Sequence, residues 1–293
     1  MRIVFLGAVE FSLRALERLV KLDAEIVGVC TLQKSKFNAD HADLSNFSEA
    51  HGIPSFYVND INSIETLNWI RGKSPDVIFC FGWSRLIKQD LLDSVPLGVV
   101  GFHPAALPAN RGRHPIIWAL VLGLKKTAST FFFMDAGADS GDILSQQEIL
   151  ITEQDDARTL YDKIIQTALT QIAEFLPSLA NGSFQRIKQN EQLANVWRKR
   201  SSADGKIDWR MSAQTIHNLV RGLTAPYVGG HFLVDGKEIK VWYTAIVMHM
   251  PNNIEAGKVL LQTNSKLVVK CGVDAIALLD TQPEFKANVG SYL

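Results

Sequence analysis

The stretch RIVFLGAVEFSLRALERLVKLDAEIVGVC, residues 2–30, decides the fold class. Two short, mostly apolar runs, Ile3–Gly7 and Glu25–Cys30, flank a segment whose leucines recur every three or four residues. Short apolar runs bounded by turn signals are typical of buried strands, and the spacing of the leucines is that of an amphipathic helix. The stretch therefore predicts a strand–helix–strand unit on a parallel sheet.

The same alternation continues through the following half of the chain. Further apolar, β-rich runs lie at Asp76–Phe81, Val99–His103 and Thr127–Met134. A long helix is predicted next, because the apolar residues from Leu160 to Leu179 recur every three or four positions. Strands that alternate with helices belong to the α/β class. We expect an α/β domain with a parallel sheet over residues 1–196.

The pattern changes after about Trp197, where short strands separated by turn residues replace the helical spacing. Five candidate strands follow, at Phe232–Val234, Ile239–Ala245, Gly257–Leu261, Lys266–Cys271 and Ala275–Leu279. Short β-rich segments of this kind are typical of a small barrel. We expect a β-rich second domain over residues 197–293, built as a partly open barrel.

Charge balance and cysteine spacing exclude several classes of protein. The 293 residues include 30 Lys+Arg and 30 Asp+Glu, so the chain lacks the basic excess of a dedicated nucleic-acid binder. Cys30, Cys80 and Cys271 lie too far apart for a zinc knuckle or a disulfide framework, and we expect buried free thiols. The longest uncharged apolar stretch, Pro115–Leu124, is too short for a membrane helix, and a signal-peptide pattern is missing. We expect a cytoplasmic protein without a membrane partner.

Two common nucleotide-binding loops are missing from the sequence. Strand one runs into Gly7-Ala8-Val9-Glu10 instead of the GxGxxG turn that lets a pyrophosphate approach the backbone. A GxxxxGK[ST] loop is missing as well. Nicotinamide-dependent enzymes and P-loop phosphotransferases are therefore disfavoured. Ligands of open parallel sheets bind at the carboxyl ends of strands, which directs attention to the segments after Phe81, His103 and Met134.

Each of these three segments carries an unusual feature. Gly82–Ile87 has a tryptophan and aliphatic residues that can frame a flat heterocycle or simply cover the end of the sheet. His103 stands at the mouth of the sheet before a loop with Arg111 and Arg113. Asp135–Asp142 contains aspartates that can orient a histidine or form Asx turns. Taken singly, none of the three segments defines a function.

Four short motifs occur in a characteristic order in the first domain. They are His103-Pro104, Leu107-Pro108, Arg111-Gly112-Arg113 and Asp139-Ser140-Gly141-Asp142. Their order, and the spacing of 36 positions from His103 to Asp139, resemble those of the formyltransferases that use 10-formyltetrahydrofolate. The resemblance extends from Met1 to about Leu279. It implies a Rossmann-like formyltransferase domain followed by a small OB-like barrel, in agreement with the two domains expected above.

The resemblance implies a direct attack of a substrate amine on the formyl carbon of 10-formyltetrahydrofolate. His103 would donate a hydrogen bond to the developing oxyanion, and Asp139 would hold the imidazole. Backbone groups of residues 83–87 and 135–141 would hold the pterin of the folate, whose site would include Phe81, Trp83, Leu86, Ile87, Phe102, Pro104, Asp135, Gly137 and Asp142. Arg111, Arg113 and Tyr227 would bind the acceptor, with Arg113 on its diphosphate and Tyr227 stacked on its base. Surface solvation of Arg113 and barrel packing of Tyr227 stay open as alternatives, and no metal is required.

One position departs from the family pattern. Two residues before the histidine the family usually has an asparagine that acts as a second oxyanion donor, and this chain has Gly101 there. Loss of one such donor costs about 2.7–4 kcal/mol of transition-state stabilisation unless another group replaces it. We count Gly101 among the catalytic positions, and we expect the glycine to leave room for a water or for the substrate, so that a slower catalysis persists.

Three hypotheses for the function stay open. The favoured one is an N-formyltransferase that acts on a nucleotide-linked amino deoxysugar, as in polysaccharide biosynthesis. The second is a methionyl-tRNA formyltransferase, and the third is a catalytically impaired homologue that binds folate or a sugar nucleotide. A tRNA enzyme needs a basic surface, whereas the loop of residues 33–49 has two lysines, Lys34 and Lys36, against Asp40, Asp43 and Glu49. We therefore expect folate and a sugar nucleotide as partners and no nucleic acid, with a homodimer as one candidate assembly.

Overall fold

The computed structural model describes residues 1–35 and 39–293, so Lys36 lies outside the described residues. The elements of the first half are β1 (Arg2–Leu6), α1 (Glu10–Lys21), β2 (Glu25–Thr31), α2 (Ser45–Ala50), β3 (Ser55–Tyr57), α3 (Ile64–Gly72), β4 (Val77–Cys80), α4 (Gln89–Leu92), β5 (Val99–His103), β6 (Arg111–Gly112), α5 (Pro115–Val121), β7 (Lys126–Phe133) and β8 (Ile143–Leu150). They are followed by α6 (Ala157–Asn181), β9 (Val196–Trp197), α7 (Ala213–Leu223), β10 (Gly230–Val234), β11 (Lys237–Val247), β12 (Val259–Gln262), β13 (Leu267–Lys270) and β14 (Ala275–Gln282).

The contacts between residues divide the chain into two compact units. The first comprises residues 1–112, 127–149 and 162–196, and the second comprises residues 113–126, 150–161 and 197–293. A division of the chain into domains at residues 196 and 197 stays a prediction. In the part of the chain that the structure describes, no helix is both long and apolar enough to cross a membrane.

The first unit contains a seven-stranded sheet in the order β3-β2-β1-β4-β5-β7-β8. The strands from β3 to β5 in this order run parallel, whereas β7 runs antiparallel to β5, with Gly101 opposite Phe132 and His103 opposite Thr130. The predicted α/β class is confirmed. The sheet is mixed at one edge, a feature that the sequence did not show because an apolar run reports the burial of a strand and not its direction.

A cluster of phenylalanine rings fills the centre of the first unit. Phe81 is fully buried, and its ring lies 5.6 Å from that of Phe5 and 5.1 Å from those of Phe79 and Phe131. Edge-to-face and offset ring pairs of this kind are favourable beyond the apolar area that they bury. The cluster joins β1, β4 and β7, and it therefore gives the loop that follows Phe81 a rigid base.

The second unit is built on a five-stranded antiparallel sheet in the order β10-β11-β14-β13-β12, so the predicted β-rich fold is confirmed. Its core includes Trp209, Phe232 and Val241, together with the apolar face of α7. Helix α7 was not predicted from the sequence. Its start is visible in retrospect at Ser212, whose hydroxyl accepts a 3.1 Å hydrogen bond from the backbone N–H of Thr215 and so caps the helix.

The three cysteines are buried free thiols, as predicted. Burial raises the pKa of Cys30 and of Cys271 to about 12. A thiol that stays protonated at neutral pH is a poor nucleophile. These cysteines therefore act as small core residues.

Candidate active site

His103 ends β5 and lies at the carboxyl edge of the sheet. It is 5% exposed, and its Nε2 lies 2.8 Å from the carbonyl oxygen of Asn110. Because a carbonyl oxygen only accepts hydrogen bonds, Nε2 carries a proton and donates it to Asn110. The Nδ1 edge of the imidazole is therefore the side that remains for chemistry.

Asp139 lies against that Nδ1 edge. Its Oδ2 is 3.6 Å from His103 Nδ1, and the same oxygen accepts a 2.9 Å hydrogen bond from the backbone N–H of Gly112. The backbone of Asp139 is left-handed, with φ at 55°, a conformation that non-glycine residues adopt rarely and often at functional sites. The structure thus brings together the two residues that the sequence predicted as a catalytic pair.

The turn between β7 and β8 is shaped by its first aspartate. Asp135 Oδ1 accepts hydrogen bonds from Gly137 N at 2.9 Å and from Ser140 Oγ at 2.7 Å, which is the Asx-turn role left open above. Gly141 admits no side chain, because a Cβ there would lie 1.7 Å from the carbonyl oxygen of Phe133. Asp142 accepts a 2.8 Å bond from Phe133 N through its own carbonyl. Asp135 and Asp142 therefore define the turn, and Asp139 is the aspartate that meets the histidine.

The space beside Gly101 is filled by protein. A Cβ at this position would lie 2.8 Å from Met134 Cγ and 3.1 Å from both Met134 Sδ and Phe132 Cζ. Contacts this short require the neighbouring side chains to move. We expected the glycine to leave room for a water or for the substrate. At the Cβ position of residue 101 this expectation is wrong, because Met134 and Phe132 fill that space.

Two residues predicted to bind folate are core residues. Phe81 belongs to the ring cluster of the first unit, and its backbone is engaged by Ser12 Oγ and Leu6 O. Ile87 is buried in the apolar cluster between the sheet and α3 and α4. The side chains of Phe81 and Ile87 are therefore enclosed by protein in this structure, and a role of either residue in folate binding stays a prediction.

The rest of the loop after β4 is more accessible. Leu86 is 69% exposed and Trp83 is half-buried, with its indole Nε1 enclosed and without a hydrogen-bond partner among the described residues. Asn62, which the sequence analysis did not single out, holds the loop: its Nδ2 donates to Leu86 O at 2.9 Å and its Oδ1 accepts from Lys88 N at 2.7 Å. Trp83 and Leu86 thus remain candidates for ligand contact, on a loop that is held by the two hydrogen bonds of Asn62.

A pocket of about 880 Å³ lies next to Met134 in the first unit. It is lined by Leu92, Val95 and Gly98, by Met134, Asp135 and Ala136 at the start of the turn after β7, and by Arg186. Of the predicted folate residues, Asp135 lines this pocket, whereas Phe102 and Pro104 follow β5 and are half-buried. The ring of Phe102 lies 4.3 Å from that of Phe11 and 4.9 Å from that of Phe131, so part of it serves the core.

Arg111 points into the protein. It is 6% exposed, and its guanidinium donates to Gln189 and to the carboxylate of Glu191. The hydrogen bond to Glu191 raises the pKa of Arg111, which keeps the buried group charged. The prediction that Arg111 binds the acceptor is corrected, because its donors are committed to Gln189 and Glu191 within the first unit.

The other two predicted acceptor residues belong to the second unit. Arg113 is exposed. Tyr227 is half-buried and packs against the core of that unit, which is the barrel packing considered above as the alternative to stacking on a base. His114 shows how charged this neighbourhood is: burial lowers its pKa, and the positive charges of Arg113, Arg200 and Lys199 lower it further. Three cations therefore act on this histidine of the second unit, and the carboxylate of Asp204 opposes them.

Comparisons of the sequence with known families and proteins agree over nearly its whole length. The formyl transferase family matches residues 1–175, and the C-terminal domain of formyl transferases matches residues 199–291. The methionyl-tRNA formyltransferase of Caldanaerobacter subterraneus subsp. tengcongensis is 31% identical over 99% of this chain and 94% of its own. The enzyme of the same name from Acetivibrio thermocellus is 32% identical over 96% of this chain and 92% of its own.

Solved structures share the fold at lower sequence identity. WlaRD, a sugar 3N-formyl transferase crystallised with dTDP and 5-N-formyl-THF, has a TM-score of 0.72 at 18% identity and covers 97% of this chain and 99% of its own. The N-formyltransferase of Helicobacter canadensis, in complex with folinic acid and dTDP-3-aminofucose, has a TM-score of 0.71 at 15% identity, over 94% and 98% of the two chains. With both family domains matched in order, the chain belongs to the formyl transferase family and is a formyl-transferring enzyme.

Proposed function

We propose that the protein transfers the formyl group of 10-formyltetrahydrofolate to the amine of a nucleotide-linked amino sugar. The formyl-transfer part rests on one observation above all: His103 and Asp139 meet at the end of β5, with Nδ1 and Oδ2 3.6 Å apart. Both groups are held by backbone atoms of the same loop, Asn110 O and Gly112 N. The site is therefore preorganised for a defined proton arrangement.

The pair supplies the two functions that amine attack on a formyl carbon requires. The bound folate supplies the formyl group and the leaving nitrogen. In this mechanism the Nε2–H of His103 donates its hydrogen bond to Asn110 O, and the Nδ1 edge donates a hydrogen bond to the oxygen that gains negative charge. The carboxylate of Asp139 accepts the proton that the attacking amine loses. The bond between the formyl carbon and the folate nitrogen then breaks, and this proton passes to the departing nitrogen.

The pocket beside Met134 suits a folate. Its volume of about 880 Å³ lies within the range of small-molecule sites. Leu92, Val95 and Met134 offer apolar contacts to a flat ring, and Asp135 offers a carboxylate to ring N–H groups. These residues would hold the formyl donor, with Trp83 and Leu86 as further contacts from the loop after β4.

Charge distribution favours a small phosphorylated acceptor. Arg113, Arg200 and Lys199 act together on His114 against the single carboxylate of Asp204, and a local positive charge of this kind suits a diphosphate. A nucleic acid would need cations over a wide surface, whereas this chain has equal numbers of basic and acidic residues. A role in polysaccharide biosynthesis and a cytoplasmic location follow as further parts of this proposal.

Methionyl-tRNA is the second candidate acceptor. It is favoured by the 31% and 32% identity to methionyl-tRNA formyltransferases over nearly the whole chain. The same cationic group could receive the phosphates at the end of a charged tRNA. The two acceptors differ in size and in how strongly salt weakens their binding, so they are readily separated by experiment.

The test is a product assay with 10-formyltetrahydrofolate as donor. The protein is incubated with a panel of nucleotide-linked amino sugars in one set of reactions and with methionyl-tRNA in another, and products are identified by mass spectrometry. We expect a formylated sugar nucleotide that disappears with the His103→Ala variant. Formylation of methionyl-tRNA alone would assign the second candidate, and folate binding without any product would identify the impaired homologue.

A further inference from the structure

We propose that Gln189 is a positioning residue, which fixes Asp139 against His103 and is itself fixed by Arg111. The proposal deepens the formyl-transfer chemistry of this site and rests on that proposed function. Gln189 follows α6 and lies 50 residues beyond Asp139 in the sequence, and no sequence motif singled it out.

The side-chain amide of Gln189 has every hydrogen-bonding position filled. It is 5% exposed, and its Nε2 donates to Asp139 O at 2.8 Å and to Gly141 O at 2.7 Å. Its Oε1 accepts from Arg111 Nε at 3.2 Å and from Arg111 Nη2 at 2.7 Å. Because arginine only donates and backbone carbonyls only accept, the amide has one orientation that satisfies all four bonds.

Arg111 sets that orientation and is anchored in turn. Its Nη1 and Nη2 donate to the two carboxylate oxygens of Glu191 at 2.9 and 2.7 Å, a bidentate pair that compensates the buried charge. The guanidinium therefore bridges Glu191 at the surface and Gln189 in the interior. A lysine could pair with one of them but could not present the planar fork that engages both.

Asp139 is held at both ends by this arrangement. The side chain of Gln189 donates a hydrogen bond to the main-chain carbonyl of Asp139. Gly112, the neighbour of Arg111, donates one from its backbone N–H to the carboxylate of Asp139 at 2.9 Å. The left-handed backbone of Asp139 needs such outside support, because that conformation is costly for a residue with a side chain. Removal of the two Gln189 donors would free the turn to relax and would carry the carboxylate away from His103 Nδ1.

The opposite edge of the imidazole depends on the same part of the chain. Asn195, six residues after Gln189, accepts from Asn110 N at 2.8 Å through its side chain and from Arg111 N at 3.0 Å through its carbonyl. Asn110 is the residue whose carbonyl accepts the hydrogen bond from His103 Nε2. Residues 189–195 thus form hydrogen bonds with both residues that contact the ring nitrogens of His103, namely Asp139 at Nδ1 and Asn110 at Nε2.

The clean perturbation is Gln189→Glu. A glutamate keeps the two acceptor positions that Arg111 needs but replaces the two donors with an oxygen that repels Asp139 O and Gly141 O. A displacement of about 1 Å at a reacting group lowers the rate by about a hundredfold. We expect kcat to fall by about that factor, with the KM for 10-formyltetrahydrofolate changed by less than about threefold, since the substitution acts on the transition state and not on ground-state binding. Gln192→Glu, an identical change at an exposed position three residues on, is the matched control and should leave kcat as in the wild type.

A double-mutant comparison separates positioning from a general structural role. If Gln189 acts through Asp139, its substitution in an Asp139→Ala background changes the remaining kcat by less than about twofold, because two residues that act through one group are not additive. Single-turnover reactions with excess enzyme measure that remaining rate. The full hundredfold loss in both backgrounds would overturn the proposal.

A second measurement does not depend on activity. Amide hydrogen exchange reports the bond from Gly112 N to Asp139 Oδ2, and we expect this amide to exchange about tenfold faster in Gln189→Glu than in Gln192→Glu. Unchanged exchange at Gly112 together with an unchanged kcat would overturn the proposal. If the wild type transfers no formyl group while the Gly112 amide still exchanges faster in Gln189→Glu, the proposed function is wrong. The role of Gln189 in positioning Asp139 is then still supported.

Discussion

A side chain at residue 101 should destabilise the first unit through Met134. In the structure a Cβ at this position would lie 2.8 Å from Met134 Cγ and 3.1 Å from Phe132 Cζ, whereas carbon atoms pack best at about 3.5–4.0 Å. Inserting atoms into a filled site typically costs about 1–3 kcal/mol. Replacing glycine by alanine recovers about 0.4–1 kcal/mol through the unfolded chain. The difference predicts that Gly101→Ala lowers the free energy of unfolding by about 1 kcal/mol.

Gly101→Asn should be worse in both stability and activity. Its amide cannot reach the position of an oxyanion donor until Met134 moves, so we expect kcat to fall. Removing the obstruction with Met134→Ala should recover most of the stability lost on substitution at residue 101, a coupling of about 1 kcal/mol. The assay is urea unfolding of the wild type, both single variants and the double variant, with steady-state kinetics on each. A Gly101→Ala protein as stable as the wild type, or an equal loss in the Met134→Ala background, would refute this account of the glycine.

Three further predictions concern the catalytic pair, the folate loop and the second unit. His103→Ala and Asp139→Ala should each lower kcat/KM by at least about a hundredfold without unfolding the protein, and near-normal turnover by either would contradict their assignment. Asn62→Ala removes both bonds that pin the loop after β4, so it should raise the KM for the formyl donor about tenfold with kcat nearly unchanged; an unchanged KM would place the folate elsewhere. Burial, and secondarily the charge of Arg221, lower the pKa of His217, so the folded protein disfavours protonation of this histidine. The contribution of neutral His217 to the free energy of unfolding is therefore complete above the usual pKa of 6.5, and it is lost as the pH falls below that value. Acidification from pH 7 to pH 5 should therefore lower the melting temperature of the wild type more than that of His217→Gln, and equal slopes would exclude this histidine.

The sequence predicted best what is encoded locally. β1, β2 and β5 are continuous apolar runs, and their observed bounds, Arg2–Leu6, Glu25–Thr31 and Val99–His103, lie within one residue of those expected. β8 was missed because its pattern is poor: half of its residues are exposed, and neither an apolar run nor a regular alternation marks it. The reversal of β7 was missed for another reason, since pairing direction depends on the connection and not on composition.

The candidate site divides in the same way. His103 and Asp139 were found because they occur in short motifs, and the structure places them 3.6 Å apart. The partners of Arg111 were not found, because Gln189 lies 78 residues away and a single glutamine in a polar segment carries no pattern. Its burial and its four bonds are visible only when the chain is folded. The environment of Gly101 was misjudged for a similar reason, since Met134 reaches it from the end of β7.

The most direct test of the central claim is a competition between the two candidate acceptors. Limiting 10-formyltetrahydrofolate is added to one mixture that contains the protein, a nucleotide-linked amino sugar accepted in the panel assay, and methionyl-tRNA at equal concentration, and the formyl group on each product is counted. The ratio of products gives the ratio of the two kcat/KM values directly. The account predicts that nearly all of the formyl group appears on the sugar nucleotide, and formylation of methionyl-tRNA in equal or greater amount would contradict it.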